Sequence, residues 1–338
     1  MKSLFVSLIA IGSVTMLFAQ PELNGGPVNV PADGIVDGVY IKENIPTKKL
    51  IPYEYVRESD VIWSKRAWEY IDLREKINHS LYYPLDEITA NGAWIRNAER
   101  WSLWTVIRNH VLNGDLRLFS PFSMNNLFGE RDGDQLKYPI DPQPGMNFYT
   151  DSAYREQLVF FFGQLGPQSD IPLTDEYGEP QVQMGADGFE TYVYPPRDTT
   201  WFTSKDIVQY RIKEDWFFDK ERSILDVRII AIAPVVLDKE EAADGTTSIR
   251  GTKELFWLYF PHCRFIFNNY FSYNDKNDAQ WMSFDDLFWK RRFNAIVYKE
   301  SSVYDRKIET YRTGVDALYE SQEIKEDIRT IEHDVWSF

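Results

Sequence analysis

Val208-Gln209-Tyr210-Arg211-Ile212-Lys213-Glu214-Asp215-Trp216-Phe217-Phe218 is the most informative run in the chain. Val208, Tyr210 and Ile212 alternate with Gln209, Arg211 and Lys213, and Trp216 and Phe218 keep the apolar parity, the period of two expected of a half-buried strand. Asp219-Lys220-Glu221-Arg222 supplies a polar turn, and Leu225, Val227, Ile229 and Ala231 alternate back toward Pro234. The run predicts an antiparallel hairpin.

Downstream, Asp238 to Gly251 reads as a polar loop. Lys253 to Phe260 and Arg264 to Phe267 read as strand interrupted at Pro261. Ser283-Phe284-Asp285-Asp286 has the form of a capping box opening a helix through Phe293, with Ala295 to Tyr298 returning as strand. Val315 to Trp336 is a long amphipathic helix whose stripe of Ile324, Ile328, Ile331 and Val335 must dock on something apolar, its own sheet or a neighbouring surface.

Upstream, Gly163 to Thr200 is rich in Gly, Pro, Asp and Gln and reads as a long loop region with a small hairpin around Val182 to Val193. Asp151 to Phe162 fits a buried strand or a buried helix equally. Trp94, Ala98, Trp101, Thr105, Ile107 and Val111 recur at helical spacing up to the stop signal Asn113-Gly114. Trp63, Ala67, Tyr70, Ile71 and Ile77 predict another helix, from Ser59-Asp60 to a point before Pro84. Asp60 to Arg66 echoes Asp286 to Arg292, a resemblance that chance explains in so aromatic a chain.

Runs of strand with flanking helices predict an α+β class. The expected form is an antiparallel sheet in the C-terminal half with packed helices, a helical N-terminal lobe, an extended N-terminal arm and a long C-terminal helix. Residues 1–19 read as a signal peptide: Met1-Lys2 carries the charge, Leu4 to Phe18 is apolar, and Ala19-Gln20 offers the junction, although Leu17 at the preceding recognition position is not small. Residues 20–52 form a Pro/Gly-broken arm whose Val28, Val30, Ile35, Val39, Ile41 and Ile45 are more apolar than a solvated tail needs. One α+β domain fills 53–338, with a helical lobe over 53–162, the loop region over 163–200 and a β-rich lobe with terminal helices over 201–338.

Composition narrows the function. Across 338 residues, 52 Asp and Glu stand against 37 Lys and Arg, a net charge of -15 that opposes binding to nucleic acid and anionic lipid. Aromatic residues make up 16% of the chain, enough for a large core and for association surfaces. Cys263 is the single cysteine, so no internal disulfide forms, and no cysteine near the signal junction can carry a lipid.

No run of residues announces catalysis. Cys263 follows His262, but neighbours on a strand point to opposite faces. His79, His110, His262 and His333 are isolated and lack zinc-ligand spacing. Asn274 to Asp278 resembles a calcium loop, but Lys276 holds a ligand position and Ala279 the place of the turn glycine. Phosphate-loop, dinucleotide and nucleophile-elbow glycine motifs are absent from the sequence. The rival reading is an exported glycan-binding protein or glycoside hydrolase with aromatic platforms and paired carboxylates. Glu214-Asp215-Trp216 is its best seed, and the second carboxylate must come from another element.

Four aromatic blocks, in order, resemble one family. They are Asn78-His79-Ser80-Leu81-Tyr82-Tyr83-Pro84; Trp216-Phe217-Phe218-Asp219-Lys220; Leu255-Phe256-Trp257-Leu258-Tyr259-Phe260-Pro261 with Arg264; and Asn277-Asp278-Ala279 ahead of Phe284-Asp285-Asp286-Leu287-Phe288. Together they resemble the gliding motility protein family GldN, also called PorN. The resemblance implies a non-enzymatic periplasmic component of the type IX secretion system. It implies a homo-oligomeric ring built with the lipoprotein GldK (PorK) at the inner face of the outer membrane, touched by the periplasmic part of GldM (PorM). It carries over no catalytic, cofactor-binding or metal residue, no nucleic-acid partner, and membrane association only through partners.

Overall fold

The computed structural model describes residues 39, 49–89, 92–122, 133–166, 171–174, 180–184, 190–195, 199–241, 247–277 and 282–336. The predicted signal peptide and nearly all of the predicted arm lie outside the described residues. An eight-stranded antiparallel sheet organises the rest. Its strands are β1 (Val61–Asp72), β2 (Leu118–Phe119), β3 (Pro139–Ile140), β4 (Ile207–Asp219), β5 (Ile224–Glu241), β6 (Thr247–Glu254), β7 (Trp257–Tyr259) and β8 (Ile296–Glu300). They lie in the order β8-β1-β4-β5-β7-β2-β3, with β6 also on β5. The helices are α1 (His79–Tyr82), α2 (Leu103–Asn113), α3 (Ser152–Phe162), α4 (Phe260–Phe267), α5 (Phe284–Trp289) and α6 (Val315–Trp336). The class is α+β, as expected.

The predicted hairpin is β4 and β5, and its turn is tied by the Asp219 carboxylate, which accepts from the Glu221 amide (2.9 Å) and Arg222 Nε (2.8 Å). The expected polar loop over Asp238 to Gly251 is instead mostly strand: β5 runs on to Glu241 and pairs with β6. The largest correction is at Ser59 to Pro84, where the expected helix is β1 followed by a 3-10 turn at Lys76–Asn78 and the single turn α1. Trp63, Lys65, Ala67, Glu69 and Ile71 share one face of β1, and two charges among them mask the alternation. The short match between Asp60–Arg66 and Asp286–Arg292 is therefore a strand against a helix.

Helix α2 begins at Leu103, later than expected, because Trp94–Ile95 pairs with Glu87–Ile88 and Ser102 caps the helix, its Oγ accepting from Thr105 N at 3.2 Å. Gly114 closes it in the left-handed conformation at φ 83°. Asp151 to Phe162 resolves as helix, since the Asp151 carboxylate accepts from the amides of Ala153 (3.0 Å) and Tyr154 (3.2 Å). The hairpin in the loop region forms between Val182–Met184 and Glu190–Tyr192. Arg264 to Phe267 is not strand but part of α4. Pro261 sits in that helix's first turn, where its missing N–H costs nothing. The Ser283 capping box is present, and α5 ends at Trp289 rather than at Phe293.

Face by face, the sheet explains the core. One face buries Ile71, Ile212, Ile229 and Ile232 against α2 to α5, with Trp104, Phe162 and Phe256 packed ring to ring at 5.0 to 6.2 Å. On the same face nearer the hairpin turn, α6 lays Ile324 and Ile328 on Val297 and Ile308, beside Trp63, Trp216 and Leu225. The C-terminal helix thus docks on its own sheet. Ile331 is half-buried, and the side chain of Val335 lies outside the described residues.

Candidate functional site

Glu214 and Asp215, the sequence's best catalytic seed, part as alternation demands. Asp215 reaches the outer face, where Arg66 Nη2 donates to it at 2.7 Å. Glu214 is fully buried, opposite Ala67 in the ladder, which makes Glu69 its diagonal neighbour on the same face. The second carboxylate is therefore Glu69, from β1. Arg291 spans the pair, with Nη1 donating to Glu214 Oε1 at 2.8 Å and Nη2 at 3.5 Å from Glu69 Oε2. Lys325 of α6 stands 3.7 Å from Glu69 Oε1 and donates to the Ala295 carbonyl. Burial, then the charge of Glu214, pushes the Glu69 carboxyl up to about 7.

Two carboxylates in one place meet the first requirement of glycoside hydrolysis. Access fails. Glu69 is 1% exposed and Glu214 0%, and neither lines the 140 Å³ cavity that Arg291 borders. Their chemistry is mechanical: two strands, the turn after α5 and helix α6 are joined through two acids and two bases. Removing Arg291 from such a set is costly, because Glu214 is then left as a buried charge without its partner.

The opposite face of the sheet is more open, with grooves of about 720 and 440 Å³ that meet at Trp68. Three of the carboxylates that line them, Asp215, Asp134 and Glu254, are already engaged. Asp134 accepts from Trp68 Nε1 at 2.9 Å, and its carbonyl accepts from Lys213 Nζ at 2.7 Å. Glu254 binds Arg211 and accepts from Trp257 Nε1 at 3.0 Å. Trp68 and Trp257 are 7% and 1% exposed, too buried to serve as sugar platforms.

A third constellation holds the end of the N-terminal arm. Arg264, itself buried, is fixed by Asp285 (Nε to Oδ1, 2.7 Å) and donates through Nη2 to the Ile51 carbonyl at 2.8 Å. Its guanidinium lies 4.2 Å from the Tyr53 ring centre, and Tyr53 stacks on Trp289 at 5.5 Å. Arg228 approaches the same ring at 5.2 Å and donates to the Glu54 carbonyl, while Arg222 pairs with the Glu54 carboxylate. Desolvation raises the Tyr53 hydroxyl to about 12. Residues 51–57 form a strap across the body. Around α2, Arg96 lies between Trp94 (4.8 Å) and Trp101 (4.6 Å), a pairing of the residue types that dominate association hot spots.

The remaining sequence candidates stay apart. Cys263 is buried, its Sγ 3.4 Å from the Tyr259 carbonyl, and burial pushes its thiol far up. His262, one residue away on α4, is exposed. Asn274 accepts from the Lys276 amide (3.3 Å) in a polar turn, and Asp278 lies outside the described residues. Among the described residues, no three His, Cys, Asp or Glu side chains converge as metal ligands would. Asn78, from the first aromatic block, is fully buried and ties the chain after β1 to the start of β8. Its Nδ2 donates to the Asp72 and Asn294 carbonyls (2.8 and 3.0 Å), and its Oδ1 accepts from Asn294 N (2.9 Å).

The sequence reading missed Glu69, Arg291 and Lys325, because the stretch holding Glu69 read as helix. Tyr53-Glu54-Tyr55 directly after Pro52 was the legible trace of the strap. Buried ion networks and an aromatic strap define an α+β scaffold whose polar chemistry joins its own elements. The chain belongs to the family of gliding motility associated proteins GldN, whose family model matches residues 56–337. Comparison with curated proteins gives no match. Membership makes the chain a component of the gliding motility and type IX secretion machinery, and the family is one of structural components rather than a known enzyme family.

Proposed function

We propose that the chain is a non-enzymatic structural component acting in the periplasm, assembled with further copies and the lipoprotein GldK (PorK) into a ring at the inner face of the outer membrane. The periplasmic part of GldM (PorM) contacts that ring. The family match over residues 56–337 carries the proposal. Three features support it. The Leu4 to Phe18 apolar run behind Lys2 suits export, and the lack of a cysteine at its end leaves membrane attachment to a partner. No helix of the described residues is long and apolar enough to cross a membrane. The carboxylates nearest to a catalytic arrangement, Glu69 and Glu214, are closed off by Arg291 and α6.

The test is affinity purification of the tagged chain from detergent-extracted envelopes, followed by mass spectrometry. The lipoprotein GldK (PorK) and GldM (PorM) are expected to co-purify. Recovery of the chain without either sinks the proposal, as does release of reducing ends from peptidoglycan that one carboxylate substitution abolishes.

A further inference from the structure

Strand β5 is paired with β4 from Ile224 to Val236, but on the other side its partners start late. Strand β7 takes Ala231 and Ile232, and β6 takes Val235 to Glu241. Among the described residues, no strand pairs with the outer side of Ile224 to Ile230. The Val227 N–H donates to the Asp226 carboxylate at 2.8 Å, a side chain standing where a ladder partner would be. An unpaired edge of this kind is a template for another strand unless something covers it.

The strap covers it. Arg228 holds the Glu54 carbonyl, Arg222 the Glu54 carboxylate, and Tyr53 sits against Arg228, Arg264 and Trp289. Each of these contacts runs through a side chain, so the strap shields the edge without pairing with it. Tyr53 is its one anchored ring, while Ile51 is 59% and Tyr55 88% exposed. The cover is removable.

The edge sequence Ile224-Leu225-Asp226-Val227-Arg228-Ile229-Ile230 is complementary to itself. Laid antiparallel on a second copy about Val227, Asp226 falls opposite Arg228, and Arg228 opposite Asp226. Leu225 meets Ile229, and Ile224 meets Ile230. Directly opposed residues share a face, so both ion pairs lie on one face, with Leu225, Val227 and Ile229 on the other. Centring the pair on Asp226 or on Arg228 instead sets like charges opposite each other. The Val227 register alone matches every charge with its opposite.

We propose that Ile224–Ile230 is a homodimerisation edge, shut by the strap over residues 51–57 and opened when the strap is drawn away, and that its occupant is the same strand of a second copy. The contact is isologous and closes as a pair, which separates it from the head-to-tail contacts that build a ring. It therefore stands apart from the assembly proposed above.

The experiment follows self-association of the chain from Gln20 onward by analytical ultracentrifugation. Two strap variants are used: Tyr53→Ala, and replacement of residues 51–54 by Gly-Ser-Gly-Ser, which changes no residue of the sheet or helices. Both are expected to dimerise at least about tenfold more tightly than the parent chain. In the strap-replaced chain, Asp226→Arg is expected to abolish the dimer, and adding Arg228→Asp to restore it with the charges exchanged. Val227→Cys in that chain is expected to give a disulfide-linked dimer under mild oxidation. Strap variants that stay monomeric overturn the proposal. So does a dimer that Asp226→Arg leaves intact, one that the exchange fails to restore, or one that does not cross-link through position 227.

Discussion

Replacing Glu69 with Gln tests the buried ion network through its dependence on pH. The ordinary glutamate value of 4.5 rises to about 7 in the folded chain, with burial as the main cause and the Glu214 charge second. Between those values the folded carboxyl keeps a proton that the unfolded one has lost, so the folded state binds more protons. Stability from this group is thus fullest below 4.5 and declines as pH rises through about 7. The whole decline amounts to about 3 kcal/mol. Asp72, Asp151 and Asp219, held below the usual carboxylate range by their hydrogen bonds, act in the opposite sense and only at more acid pH.

The amide introduced by Glu69→Gln would carry no charge to desolvate. Arg291 keeps Glu214, and Lys325, whose side chain is 36% exposed, can turn to water. Urea unfolding at about pH 5 and about pH 8 should therefore find Glu69→Gln close to the parent in acid and more stable than it in base, by up to about 3 kcal/mol. A parent whose stability shows the same slope as the variant, or a variant that is the weaker at the higher pH, refutes the reasoning.

Ile328→Asp puts a carboxylate where a 3% exposed side chain meets Val297 and Ile308. The isolated chain should lose about 3 kcal/mol or more and melt at least about 5 °C lower, whereas unchanged melting with lost assembly would mean that α6 works on a partner instead. Cys263 should resist Ellman's reagent in the native protein and react fully in denaturant, and stoichiometric native labelling would contradict its burial. Deleting Gln20 to Pro52 should leave the body's melting transition in place while weakening capture of the lipoprotein, and unchanged affinity would show that the arm is idle.

What the sequence disclosed follows from how local each signal is. The β4–β5 hairpin, the Ser283 capping box and the α6 stripe are written within one turn or one strand length, and each appears in the structure where its residues placed it. Strand β1 was lost for the same reason that its site was lost. Lys65 and Glu69 occupy inward positions, which breaks the apolar alternation, and Glu69 is tolerated there because Arg291 and Lys325 come from elements far along the chain. Pro261 shows another limit: a proline breaks a strand and begins a helix equally well, and only the chain beyond it decides. The aromatic blocks were legible as a family pattern because they fill the core, with Phe256, Trp257, Phe260, Phe284 and Phe288 all buried.

The place of β1 sets the order in which the protein can become itself. It is the earliest long strand along the chain, yet its neighbours in the sheet are β4, from Ile207 onward, and β8, which ends at Glu300. The pairing of β1 with β4 waits for the chain to reach Asp219, its other side stays open until nearly the whole polypeptide is present, and contacts of such long range fold slowly. Until β4 arrives, Val61 to Asp72 is a strand with two open edges and two tryptophans, the kind of segment that associates with whatever strand it meets first. A chain stopped anywhere short of Ile296 keeps one of those edges for good, so truncation from the C-terminal side threatens solubility before it removes any single contact.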